Sequence, residues 1–335
     1  MGWNDSLKTL IDPQHRIVRD PLKRYLDLEK RRVHRHAMDE SERNQFLAEE
    51  FETYLDVITS IHQDCCNTWD WNSILMTSAP EKPVRSDTYQ IEALRMLERY
   101  KPTFRERVFG KAGSKRYEFA RAVDEGMQKD EEQYMAAMEK YEQDYREWER
   151  SDELARVARG VLSRDPEIMA EVIMVVEPFA ELTGYGSKIE VEDINQNSGE
   201  IIFLANLHDV IPSVSKRLLK SGSLSERKLY KTEFLRLSKS YVCGSALRIA
   251  RELFALLPIR NVVINASDCL PDPDRIDGDA VTILSVEIPR EVLGRLKFNS
   301  IDPFDSMAEF VHNMKFTKSR GFTPVEKLEW EDPNQ

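Results

Sequence analysis

The apolar positions of this chain change period once, near Gly184-Tyr185-Gly186. Before that point they recur at steps of three and four, the helical spacing; beyond it, alternating β-branched runs appear. Asp20-Pro21 reads as a helix start, Asp at the N-cap and Pro in the first turn, and no Gly or Pro follows until after Ile61. Leu22 to Asn44 is rich in charge and predicts an exposed or frayed helix, whereas Phe51, Tyr54, Ile58 and Ile61 form a stripe that should pack. His62, Cys65, Trp69 and Trp71 stand at the helix end and the turn beyond it. Two prolines make Thr77–Asp87 a loop, and a helix is expected over Thr88–Tyr100, with Pro102 ending it. A long polar helix follows from Ser114 to Arg159, in which Gly126 costs about 1 kcal/mol relative to Ala. Inside it Tyr134, Met138, Tyr141, Tyr145 and Trp148 alternate steps of four and three, with Val123 and Met127 upstream. That is an a/d seam of the kind used in helical hairpins and coiled coils, short and aromatic, which suits a hairpin partner in the same chain. Ser163–Glu177 is a shorter apolar helix with Asp165-Pro166 at its start.

After Gly186, Lys188–Asp193 and Glu200–Asn206 read as strands around the turn Gln196-Asn197-Ser198-Gly199. A short basic helix is expected over Ser213–Lys220. Thr232–Leu257 is the strongest helix, apolar over so much of its girth that it should be central. Asn261–Ser267 and Ala280–Ile288 are β-branched strands joined by the acidic loop Asp268–Asp279. Ser306 and Glu309 form a capping box for a last helix to about Phe316, and the tail from Thr317 should be extended. The fold class is α+β: a helical N-terminal half with long helices or a helical hairpin, then a mixed or antiparallel sheet covered by helices. The expected division is an N-terminal segment 1–19, a helical region 20–186, an α/β domain 187–316 and a tail 317–335.

Composition narrows the setting. The chain has 335 residues, 32% charged and 41% hydrophobic, with a net charge of −11. Residues 1–187 hold 28 Lys/Arg against 37 Asp/Glu, and residues 188–335 hold 20 against 22, so the helical half carries most of the acidity. A net negative surface disfavours generic contact with phosphates and anionic lipid. No apolar run approaches a membrane span, and the N-terminus lacks a signal-peptide core. Gly2 with Ser6 fits a myristoylation pattern too short to carry weight. Four scattered cysteines, Cys65, Cys66, Cys243 and Cys269, point to reduced thiols in a cytoplasm.

Candidate chemistry is thin. An EF-hand register begun at Asp272 puts Ile276 and Ile283 where ligands belong, so the acidic loop reads as solvated. His62, Cys65 and Cys66 are zinc-ligand types without a second close pair. Cys243, in Val242-Cys243-Gly244-Ser245-Ala246, fits close helix packing better than nucleophilic catalysis. Gly184–Lys188 lacks the phosphate-loop spacing and leads into a strand. Lys30–His36 is a basic run ringed by acids. Asp193, Glu200 and Glu287 with Lys188 could be drawn as a nuclease centre, yet nothing in their spacing selects that picture. Arg248 and Arg251 on a largely apolar helix need a carboxylate or phosphate partner, either an internal ion pair or a site for an anion or partner. Tyr134, Tyr141, Tyr145 and Trp148 are the candidate interaction residues.

Thr59-Ser60-Ile61-His62 with Asp70-Trp71, Tyr241-Val242-Cys243 through Pro258, and Met307 to Phe316 resemble a family of uncharacterised bacterial proteins over about residues 50–330. The resemblance implies a bacterial chain whose segments form one unit; it carries no activity and transfers no functional residues. The expectation is a non-enzymatic interaction or scaffold protein with a protein partner, no cofactor, no bound metal and no membrane, its oligomeric state open. The alternatives are an enzyme, nucleic-acid processing included, with a site in the C-terminal domain, and a nucleic-acid binder using the basic helix.

Overall fold

The computed structural model describes residues 16–17, 20–33, 38–75, 79–104, 109–270 and 280–329. Contacts divide the chain into two compact units: residues up to 71 together with those from 157 onward, and residues 72–156. The change of period near Gly186 therefore falls inside the first unit. The N-terminal segment but for residues 16–17, His34 to Ala37, most of the acidic loop and the last six residues lie outside the described residues, as do Gly2 and Ser6.

One helix organises the first unit. α7 (Lys231–Leu256) buries 18 of its residues, so it needs neighbours on nearly every side. One side meets the sheet; the other meets α2 (Glu40–Ser60) and the 3-10 turn Ile61–Gln63. The approach is close at Gly244, where a Cβ would stand 3.0 Å from Cγ2 of Ile61. The small-residue run Gly244-Ser245-Ala246 thus serves backbone approach. The carbonyls at the C-terminus of α7, which have no partner within a helix, are met from elsewhere in the chain. The Trp69 N–H donates to Ala255 O at 2.9 Å, the Trp71 indole to Leu256 O at 2.7 Å, and the Arg290 guanidinium to the carbonyls of Phe254, Leu257 and Ile259. A cation there also complements the helix dipole.

The sheet has six strands in the order β10–β9–β8–β7–β4–β3: β3 (Lys188–Ile194), β4 (Ser198–Leu204), β7 (Asn261–Asp268), β8 (Val281–Pro289), β9 (Val311–Thr317) and β10 (Gly321–Thr323). All neighbours are antiparallel except β4 and β7, which run parallel with Ile201 opposite Ile264, so the sheet is mixed. In the β3–β4 turn, Asn195 Oδ1 accepts the backbone N–H groups of Asn197 and Ser198. Ile201, Phe203, Val262, Ile264, Leu284 and Val286 are all buried and alternate with the residues of the opposite face.

Three expectations are corrected. The Asp20–Ile61 stretch is two helices, α1 (Asp20–Arg32) and α2, because Asp39 and Glu42 form a capping box that starts a new one. α1 is docked through Leu22 and Leu28, whose burial contributes about 2 kcal/mol each. Ser213–Lys220 is not helical: β5 (Val214–Leu218) pairs with β6 (Leu224–Lys228) around Gly222, whose φ of +83° suits the turn. The last helix stops as a 3-10 turn, Asp305–Glu309, and 311–317 is β9, since the open edge of β8 takes a strand whose Met314 pairs with Leu284. The tail then closes the sheet with β10, and the Val325 N–H donates to Thr282 O.

The second unit is a helical hairpin. α3 (Thr88–Arg99) lies antiparallel on α4 (Ala112–Leu162), whose residues from 157 belong to the first unit. Asp130 is buried, and its two carboxylate oxygens accept the Tyr89 and Gln90 N–H groups at 3.0 and 2.8 Å, capping the start of α3 from across the hairpin. At the far end the rings of Tyr100 and Phe119 meet at 5.1 Å. Gly126 admits the backbone of α3: a Cβ there would fall 2.8 Å from Tyr89 O. Helix propensity alone makes Gly126→Ala stabilising by about 1 kcal/mol. Overlap with a backbone atom reverses that sign, by about 1–3 kcal/mol. We expect Gly126→Ala to speed limited proteolysis across residues 79–104 while the helical circular dichroism of α4 persists.

Candidate functional site

The two arginines of α7 occupy different environments. Arg248 is 3% exposed. Its Nη2 donates to Glu181 Oε2 at 2.8 Å and its Nε to Glu252 Oε1, one turn on, at 3.3 Å. Glu181 comes from α6 (Ala180–Gly184), the short helix that leads into β3. Burial disfavours the charged guanidinium, but the carboxylates of Glu181 and Glu252 outweigh it and hold Arg248 protonated. Three tyrosines, none of them expected at a site, close this centre. Tyr25 of α1, Tyr54 of α2 and Tyr185 meet with ring centroids 5.6 to 6.5 Å apart. The Tyr185 hydroxyl donates to Glu181 Oε1 at 3.4 Å. Burial pushes all three phenols up, above the ordinary tyrosine value. Tyr54 stands on the packing stripe of its helix, but nothing in the spacing brings Tyr25 and Tyr185 to it.

Arg251, half-buried, faces outward. Its guanidinium lies 4.0 Å over the Phe298 ring and donates from Nη1 to His62 O at 2.5 Å and Asp64 O at 3.3 Å. It borders an open cleft of about 320 Å³ lined also by Cys65, Cys66, Arg290 and Phe298. α7 thereby fixes the segment after α2, where β2 (Cys65–Cys66) pairs antiparallel with β1 (Arg16–Ile17).

The same place brings together the one group of metal-ligand types found among the described residues. The ligand atoms of Cys65, Cys66 and Glu252 lie within 4.8 Å of one another. Two thiolates and a carboxylate would suit a soft divalent ion. Against that, Glu252 already holds Arg248 and accepts the Cys66 N–H at 3.3 Å. A cation would have to displace Arg248 from its partner and sit among positive charges. The hydrogen bond with Cys65, then burial and Glu252, push the Cys66 thiol up, so it is a poor nucleophile. His62 is buried beside Gly244 instead of joining the cysteines.

The remaining candidates separate. Cys243 is fully buried in mid-helix with Sγ 3.9 Å from Met314 Sδ, and burial pushes its thiol up. Asp193, Glu200 and Glu287 share a row of the sheet through Val263, but Glu200 is held by Asn265 Nδ2 at 2.7 Å, and Lys188 stands at the other end of β3. Asp193 is exposed and Glu200 and Glu287 are half-buried, while in the next row the buried Ser285 hydroxyl donates to Asn265 Oδ1 at 2.6 Å and accepts the Leu328 N–H at 2.9 Å, a structural pair under the C-terminal segment. Gly184–Lys188 runs from α6 into β3, with no helix following to face a phosphate. The described part of the basic run Lys30–His36 ends α1, where Lys30 pairs with Asp27 and Arg32 with Glu50.

In the second unit, Tyr141, Tyr145 and Trp148 form a ladder along α4, with successive centroids 5.7 and 5.4 Å apart. Tyr134, Tyr141 and Trp148 are half-buried and Tyr145 is exposed. α3 covers α4 only from about Phe119 to Gln133, whose Nε2 donates to the Tyr89 hydroxyl at 3.1 Å. No helix among the described residues is long and apolar enough to cross a membrane. Comparison with protein-family models, with curated proteins and with solved structures finds no match.

Two outcomes are expected. Arg248→Met takes the cation from the buried Glu252 and the half-buried Glu181 and should cost about 3–5 kcal/mol, read as a lower urea midpoint with an unchanged slope. Titration of the folded protein with a thiol-reactive disulfide should show one fast thiol, the exposed Cys269, a slow Cys66, and Cys65 and Cys243 only after denaturation.

Proposed function

We propose that the chain is a non-enzymatic interaction protein of a bacterial cytoplasm, with the helical hairpin of residues 72–156 as its docking surface. One observation carries the reading: among the described residues from 72 to 149, only Gly126 and Asp130 are buried. Meanwhile Met96, Phe104, Phe109, Tyr117 and Met135 each stand 60% or more exposed. So few buried groups leave the pair's apolar side chains available to a partner, and exposed apolar groups ringed by charge mark docking surfaces.

Charge selects the occupant. Residues 95–121 carry nine Lys/Arg against three Asp/Glu, and residues 122–156 carry five against twelve. A second copy laid antiparallel sets each basic stretch on an acidic one, with the Tyr134–Trp148 seam facing the partner's basic end. A nucleic acid would gain from the basic stretch and be repelled by the acidic one.

Sedimentation equilibrium tests this directly. The wild type should dimerise, more weakly as salt rises, because the charges are exposed to screening. Tyr117→Ser, Met135→Gln and Tyr145→Ser together should give a monomer with unchanged far-ultraviolet circular dichroism. A wild-type monomer at about 100 µM would end the self-association reading.

A further inference from the structure

A second surface, in the first unit, has the make-up of a ligand site. Where the N-terminal half of α7 passes the last strands of the sheet, Thr232, Leu235, Arg236 and Lys239 face Phe304, Phe316 and Lys318 across a cleft of about 410 Å³. That volume lies in the range of small-molecule sites, about 300–1,000 Å³. The floor is apolar and fixed. The Phe304 and Phe316 rings meet edge to face at 5.5 Å, and Phe316 leans on Phe322 at 5.0 Å. Leu235 is wedged against the β9–β10 turn, where a Cβ on Gly321 would come within 2.6 Å of it.

The rim is cationic. Arg236, Lys239 and Lys318 border the cleft, and no acidic residue lines it. None of the three has a carboxylate within 4.0 Å among the described residues, although the chain as a whole is acidic. Lys239 Nζ lies 4.4 Å over the Phe304 ring, which holds the charge at the mouth of the cleft. Asp302, in the loop beside it, uses Oδ1 to accept the Phe304 and Asp305 N–H groups.

We propose that this cleft binds a small amphiphilic anion: an apolar tail on Leu235, Phe304 and Phe316, and a carboxylate among Arg236, Lys239 and Lys318. The apolar floor supplies affinity without direction, and the three unneutralised cations supply selection for negative charge. A neutral tail of the same length loses the second contribution, and a cationic one is repelled.

Octanoate serves as the probe, with octanol as its neutral counterpart, both titrated into the intact chain and followed by saturation-transfer nuclear magnetic resonance. Octanoate should bind saturably and at least about tenfold more tightly than octanol, the effect of about one charge-assisted hydrogen bond. Replacing the rim together, Arg236→Gln, Lys239→Gln and Lys318→Gln, should weaken octanoate at least about tenfold and leave octanol and the thermal midpoint unchanged. Equal binding of octanoate and octanol, retention of octanoate by the triple variant, or no saturable binding below about 10 mM would each overturn the proposal.

Discussion

The first unit depends on the enclosure of α7. A helix buried around most of its girth cannot be served by a sheet alone, because a sheet covers one side of it. The chain supplies the other side from α2 and the turn that follows it, which is why residues far apart in sequence belong to one compact unit. Enclosure also dictates the polar chemistry. A guanidinium inside such a helix needs anions brought to it, and Glu181 and Glu252 meet that need for Arg248. The last carbonyls of the helix need donors, and Trp69, Trp71 and Arg290 supply them.

Much of the interior polar chemistry is therefore committed to holding the helix. Arg248 is held by Glu181 and Glu252 beside the tyrosine triangle, and Glu200, Asn265 and Ser285 bond one another in the sheet. The hairpin's exposed apolar side chains and the cationic rim around Phe304 and Phe316 lie outside that network.

Periodicity made the large elements legible. α7, α3, α4 and the strands β3, β4, β7 and β8 appear within a few residues of where apolar spacing puts them, and Gly244 packs closely as its small neighbours imply. The failures have local causes. Asp39 and Glu42 were readable as a capping box, but the absence of Gly and Pro around them favoured one long helix. Residues 311–317 and 213–220 were decided by strand edges that needed partners, which no local window contains. The convergence of Tyr25, Tyr54 and Tyr185 and the cleft at Leu235 depend on tertiary placement, and spacing holds no record of them. The division of the chain was obscured for a related reason: the helical half supplies both the cover of α7 and a separate hairpin, and the two share one helical period.

The single parallel pair has a consequence for how the molecule assembles. β3–β4 is a local hairpin, and β7 through β10 pair with neighbours that follow one another in sequence. Only the β4–β7 seam joins strands separated by the whole of β5, β6 and α7. The sheet is thus two locally connected pieces with one long-range junction, and contacts across such distances cost loop-closure entropy before they return any stability. α7 lies in the connection that spans this junction, so a helix docked on both the sheet and α2 shortens the loop that must close to join the two halves.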